Sequence, residues 1–419
     1  DQRGACGMHD GFCSPDGRNG SGGGGKETEN SVSTSAAAAQ SGDIEINEKN
    51  FPDENFREFL LTGKTGSYQD GNLIDQNQDG WLSRDEIADV KELNVSWHTR
   101  QIGNLKGIEH FTKLESLTCA YTELTELNVS KNTALRYLSC SNNQLTKLDV
   151  SKNEALTLLG CNDNQLKELD VSNNKALTVL ECYGSQLKEL NISQNKKLDT
   201  LDCGGNLLTK LDVSNNKVLD RLCCDGNQLT ELDVSNNKVL TELWCEDNQL
   251  KELNVSNHTA LTELKCSNNQ LTSLDLTNTN VGGVVANGSG AFGEFSADGN
   301  IYNIKLNDDN TYNLSGLPGH FDVSKAKDWS GGTVIGNILT VDKGVDKVTY
   351  IYDCGTTQAG DHDVVFTLNV NPVDSDNPAD GGDTGNTADN IKGALSAIVV
   401  GAVAGAIIYE TGTGIYRVI

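Results

Sequence analysis

The chain has 419 residues and a formal net charge of −26, from 59 Asp and Glu against 33 Lys and Arg. That length holds two or three domains, and that charge disfavours nucleic acid or an anionic membrane surface as partner. Only one methionine is present, at position 8, so a processed chain whose signal peptide has been removed is expected.

Residues 1–43 are rich in Gly, Ser, Asn and Ala and read as a disordered low-complexity segment. Within it, G-S-G-G-G-G-K at Gly20 to Lys26 imitates a phosphate-binding loop. No strand precedes it and Glu27 stands where Ser or Thr is required, so it reads as a linker. Cys6 and Cys13 are the only cysteines placed like a pair.

Residues 44–113 read as a small α N-terminal cap. Asp53 followed by E-N-F-R-E-F-L-L predicts a short capped helix with Phe56, Phe59 and Leu60 on one face. The next motif runs from Asp75 to Glu86, D-Q-N-Q-D-G-W-L-S-R-D-E, and fits the twelve-residue EF-hand loop. Asp75, Asn77 and Asp79 would supply side-chain oxygens to calcium, Trp81 a backbone carbonyl, Ser83 a direct or water-mediated contact, and Glu86 two oxygens. Gly80 permits the sharp turn. A single loop without a partner hand suits a structural ion better than a sensor.

Residues 114–280 repeat. Cysteines at 119, 140, 161, 182, 203, 224, 245 and 266 are spaced by 21 residues, each in the frame L-x-x-L-x-C. The frame usually continues x-x-N-x-L-x-x-L-[DN]-V-S. This period and pattern predict a leucine-rich repeat solenoid, mainly parallel β, of eight 21-residue units. Asn143, Asn164, Asn206, Asn227, Asn248 and Asn269 should form an internal ladder that satisfies backbone groups, with Thr122 and Ser185 interrupting it. The cysteines read as small buried hydrophobes, apart from Cys223, which is expected to face outward as a free thiol.

Strand alternation puts three positions of each unit on the concave face, and these vary while the L-[DN]-V-S segment hardly changes. Tyr137, Glu181, Tyr183, Asp202, Arg221, Asp225, Glu242, Trp244, Glu246 and Lys265 are the candidate partner contacts. Tyr, Trp and Arg are the types that most often anchor interfaces, and eight strands give a face about 35 Å long. A constant frame with one varied face suits recognition of an extracellular protein or glycan. Free drift of solvent-facing positions is the alternative.

Residues 281–374 carry short alternating runs separated by turn signals and read as an immunoglobulin-like β-sandwich. An acidic linker follows at 375–392 and an apolar segment at 393–419. Membrane contact is expected only through the uncharged run at 393–409.

These motifs carry a resemblance. The array resembles the cysteine-containing leucine-rich repeat proteins of bacterial surfaces, relatives in style of the internalins. The N-F-P-D-x-x-F-R-x-F-L opening at 50–60, the EF-hand-like loop and K-G-I-E-x-F at 106–111 resemble the leader of secreted repeat proteins of anaerobic Gram-positive bacteria. L-P-G-x-F-D-V-S-K-A at 317–326 and V-T-Y-x-Y-D at 348–353 resemble the β-domain that follows such arrays. The resemblance implies an extracellular, secreted or surface-exposed binding or adhesion protein, with no catalytic residues. A non-binding surface spacer is the alternative. The six histidines are scattered and no nucleophile elbow or zinc-protease motif occurs, so an enzyme is not expected.

Overall fold

The structure, a computed structural model, describes residues 42–66, 71–96, 102–283, 293–357 and 359–370. The expectations for residues 1–41, Cys6 and Cys13, the linker at 375–392 and the apolar run at 393–409 lie outside the described residues. Among the described residues no helix is long and apolar enough to cross a membrane.

The cap begins with β1 (Ile44–Glu45), which pairs antiparallel with β2 (Trp81–Leu82). Between them lies α1 (Glu54–Thr62), which buries Phe56, Phe59 and Leu60 as the apolar spacing requires. Asp53 caps it by accepting from the Phe56 amide. The other Asp53 carboxylate oxygen accepts from the amides of Gly103 and Asn104 at 3.0 and 3.1 Å, which fastens the helix to the approach to the first repeat. A six-residue helix, α2 (Arg84–Asp89), leaves the acidic loop with Ser83 and Glu86 in a capping box.

The array follows as three-residue strands: β3 (Glu92–Asn94), β4 (Ser116–Thr118), β5 (Tyr137–Ser139), β6 (Leu158–Gly160) and β7 (Val179–Glu181). Then come β8 (Thr200–Asp202), β9 (Arg221–Cys223), β10 (Glu242–Trp244), β11 (Glu263–Lys265) and β12 (Phe295–Ser296). They form one ten-stranded sheet in chain order, each neighbour parallel. The 21-residue period is the register: Leu138 stands opposite Leu117 and Leu159. Each central Leu points inward, and the next inward position is the ladder cysteine. All eight ladder cysteines are fully buried free thiols. Burial pushes the Cys119 thiol up to about 12 and the others above their ordinary range. They pack as hydrophobes and are poor nucleophiles or metal ligands.

Two residues after each cysteine the backbone turns left-handed, at Tyr121, Asn142, Asp163, Gly184, Gly205, Gly226, Asp247 and Asn268. Gly, Asn and Asp tolerate that conformation best, which explains the composition of the position; Tyr121 is the exception.

The expected Asn ladder forms. Asn206 is representative: its Nδ2 donates to the carbonyls of Cys182, Cys203 and Gly204 at 2.9, 3.1 and 3.0 Å. Its Oδ1 accepts from the Leu187 amide at 3.0 Å. A second ladder was not foreseen. The Asn of S-x-N, at 132, 153, 174, 195, 216 and 237, is fully buried, and each Nδ2 donates to two carbonyls of the preceding level of the solenoid. His258 takes over in the next unit, with its ring nitrogens 3.0 Å from the Val255 and Val234 carbonyls.

Beyond β12 the chain forms β13 (Ile301–Ile304), β14 (Thr311–Asn313), β15 (Ala326–Ser330), β16 (Gly332–Ile335), β17 (Ile338–Val341), β18 (Lys347–Thr357) and β19 (Gly360–Val370). A four-stranded sheet has the order β13-β19-β18-β15 and a three-stranded sheet the order β14-β17-β16. The pairing of β13 with β19 is parallel, and the other pairings are antiparallel. Tyr350 donates to the Thr272 carbonyl at 2.6 Å, Ser273 donates to Gly319, and the Leu276 amide donates to Cys354. One hydrophobic core therefore runs from Phe51 in the cap through the repeats to Val370.

Candidate functional site

The concave face is built from the first and third residues of each strand and the residue after each cysteine. Parallel register stacks like positions side by side, so Glu181, Asp202, Cys223, Trp244 and Lys265 form one row along the sheet. A second row runs through Thr200, Arg221, Glu242 and Glu263.

Towards the C-terminal end these side chains hold one another. Arg221 Nε stands 2.8 Å from Glu242 Oε2, close enough for an ion pair although the angle is not that of a hydrogen bond. Trp244 Nε1 donates to Glu263 Oε1 at 2.7 Å, and Lys265 Nζ lies 3.7 Å from the Trp244 ring centroid. Lys265 also pairs with Glu263 and Glu294. A cation over an indole contributes about 0.5–2 kcal/mol, enough to fix the ring between its neighbours. Glu246 accepts from Ser296 at 3.2 Å. Burial lifts the Glu242 and Glu246 carboxyls above their ordinary range, against the opposing pull of Arg221 on the first and Ser296 on the second. These carboxylates have fixed partners, unlike a pair flanking a substrate pocket.

The middle of the face differs from expectation. Tyr137, Tyr183, Arg221, Asp225, Glu242, Trp244, Glu246 and Lys265 are half-buried, but Glu181 and Asp202 are buried, at 9 % and 0 % exposure. Cys223 is also fully buried, and it is disulfide-bonded instead of free. Strand alternation gives direction but not depth. Beside this row Asp225 and Tyr183 crowd the backbone: a Cβ on Gly204 would meet Asp225 Oδ1 at 2.6 Å and Tyr183 Cδ2 at 3.0 Å. Asp202 Oδ1 accepts from the Gly204 amide at 3.2 Å, whereas its buried Oδ2 has no hydrogen-bond partner among the described residues. Burial, reinforced by the charges of Asp225, Glu181 and Asp163, raises the Asp202 carboxyl to about 7 despite the Gly204 amide.

The acidic loop from Asp75 to Glu86 closes through hydrogen bonds to its own backbone. Gly80 is left-handed at φ +81° and donates to Asp75 Oδ2 at 2.9 Å. Asn77 Oδ1 accepts from the Asp79 amide, and Asp79 Oδ1 from the Trp81 amide. Glu86 turns onto the loop backbone, with Oε1 accepting from Gln76 and Asn77 and Oε2 from Ser83. Among the described residues no group of three or more His, Cys, Asp or Glu side chains is placed to hold a metal ion. The loop nevertheless fits a cation in one respect: Asp75 is fully buried and its Oδ1 has no hydrogen-bond partner among the described residues. Burial raises the Asp75 carboxyl, aided by Glu86 and Asp79 and opposed by the amides of Gly80 and Gln78.

No family model matches the chain and no curated protein matches it. Solved structures do. The functional domain of InlJ from Listeria monocytogenes, which includes a cysteine ladder, is 23% identical at a TM-score of 0.44, covering 78% of this chain and 98% of that one. InlP from the same organism is 19% identical at 0.47, with coverage of 78% and 98%. The leucine-rich repeat protein LIC12759 of Leptospira interrogans is 26% identical at 0.41, covering 52% of this chain and 64% of that one. The strand register and the 21-residue period identify the array by themselves: the chain is built on a leucine-rich repeat solenoid.

Proposed function

We propose that this chain is an extracellular or cell-surface binding protein that recognises a protein partner with the concave face of its repeat array. The observation that carries this reading is the interlocked set Arg221, Glu242, Trp244, Glu263 and Lys265. Side chains already held in place lose little conformational freedom on docking, and Trp and Arg are the residue types that dominate interface energies. The strands beyond the array, an immunoglobulin-like module in this reading, extend the same core and give the face a stiff support.

The test is capture from extracellular proteins and from a glycan panel, with native chain and a Tyr137→Ala, Arg221→Ala, Trp244→Ala triple variant of matched folded fraction. A protein captured by the native chain and lost by the variant supports the reading, with a loss of at least about tenfold expected for a hot-spot cluster. Equal capture by both would move recognition off this face. A glycan captured instead would change the partner class, and capture of nothing would favour a spacer.

We further propose that the acidic loop holds a structural calcium ion through Asp75, Asn77, Asp79, the Trp81 carbonyl, Ser83 and Glu86. Binding would require Glu86 to exchange its amide contacts for the ion. Ligand at one hundred times its dissociation constant stabilises the bound state by about 2.7 kcal/mol. Calcium should therefore raise the melting temperature of the native chain, and Asp75→Asn should abolish that increment. Identical melting in calcium and in chelator would remove the ion from the account.

A further inference from the structure

The third residue of each repeat strand points away from the core, yet its depth is graded along the sheet. Thr118 in β4, Trp244 in β10 and Lys265 in β11 are half-buried, whereas Ser139, Gly160, Glu181, Asp202 and Cys223 in β5 to β9 are buried. Side-chain length does not set this order, because Glu181 is longer than Thr118 and lies deeper. The repeat frame does not set it either, because the frame is shared by all the units. The first residues of the strands follow the same trend: Val179 and Thr200 are buried, whereas Ser116 and Glu263 are half-buried. A cover over the middle of the face accounts for both rows.

Cys223 points to the cover. It is disulfide-bonded, while the other nine cysteines among the described residues, eight in the ladder and Cys354, are free thiols. The chain has twelve cysteines, so elimination leaves Cys6 or Cys13 as its partner. The distance suits the length of chain available. Twenty-nine residues separate Cys13 from Gly42, where the described cap begins, and a Gly- and Ser-rich chain of that length spans about 30 Å on root-mean-square average. Strand β9 lies six strands beyond β3, which is about 29 Å along the sheet. Met8 and Phe12, between the two cysteines, supply apolar surface. We propose that the stretch around Cys6 to Cys13 lies over the middle of the concave face, fastened to Cys223 by a disulfide, and that a dithiol releases it. In the release the dithiol gives up two electrons and two protons; the Cys223 disulfide becomes two thiols and the dithiol closes to its own disulfide. Resting on the proposed role of the face, the cover leaves a partner the half-buried end at Trp244 and Lys265 and withholds the middle until the bond is cut.

Thiol counting on the folded full chain, with proteolytic mapping beside it, is the test. An alkylating reagent should label about one cysteine in the oxidised chain, whichever of Cys6 and Cys13 is not bonded to Cys223. After mild dithiothreitol treatment it should label about three, Cys6, Cys13 and Cys223, while the buried ladder thiols and Cys354 stay unlabelled until the chain unfolds. Tryptic digestion without reduction should yield residues 222–238 linked to residues 4–18, and Cys6→Ser and Cys13→Ser variants then identify the bonded cysteine. A Cys6 to Cys13 link with Cys223 free, a Cys223 bond between two chains, or a Cys223 that resists labelling after Cys6 and Cys13 have reacted would overturn the proposal. None of these outcomes bears on the capture experiment, which reads the loss of a partner on replacing Tyr137, Arg221 and Trp244 whatever Cys223 is bonded to.

Discussion

Replacing Asn206 with Ala is expected to lower the unfolding free energy by about 3–5 kcal/mol, a large effect for one surface-adjacent polar residue. The side chain donates to three carbonyls on two repeat levels and accepts from the Leu187 amide, all inside the solenoid. Alanine removes all four hydrogen bonds and lets no water in to replace them. A buried group left unsatisfied costs about 1–3 kcal/mol. The Leu187 amide suffers most, because it has one hydrogen to place while each carbonyl keeps a second lone pair. Denaturant unfolding of the variant and of Asn215→Ala, an exposed site in the same unit, gives the comparison. The control should shift by less than about 0.5 kcal/mol. A loss below about 1 kcal/mol for Asn206→Ala would mean that the solenoid relaxes and that the ladder is not what holds adjacent levels together.

That ladder was legible in the sequence because period and chemistry coincide: a polar residue recurs in step with buried leucines, so it must be buried and satisfied. The second ladder was present in the same letters, as the Asn of S-x-N. Its hydrophilic neighbours do not mark it as buried. The ends of the array were less legible. Strand β3 has Leu93 and Val95 in place of the leucine-cysteine pair, and β12 is separated from the previous Asn by an insertion, yet Asn300 resumes the bonding pattern with the Cys266 carbonyl and the Leu271 amide. Backbone pairing needs only an inward residue and a free edge, so it continues where the signature stops. Depth on the concave face was not legible at all. Depth depends on how neighbouring side chains fill the face, and glycines at 204 and 205 leave room there for Tyr183 and Asp225.

Stability should fall as pH rises through neutrality, and Asp202→Asn should remove that slope. The sign follows from the direction of the shift. Asp202 titrates near 3.8 when unconstrained and at about 7 in the fold, so the folded state favours the protonated carboxyl. The resulting stabilisation is complete below the unfolded value and is lost as pH climbs through the folded one. From about pH 5 to about pH 8 the loss is close to two tenfold steps, roughly 2–3 kcal/mol at 1.36 kcal/mol per unit. Asparagine has the same shape and no charge, and its amide can donate towards the neighbouring acids. The stability of Asp202→Asn relative to the native chain should therefore increase by roughly 2–3 kcal/mol between those pH values, read from paired denaturant titrations. A constant difference would show that Asp202 is solvated and ionised in the fold.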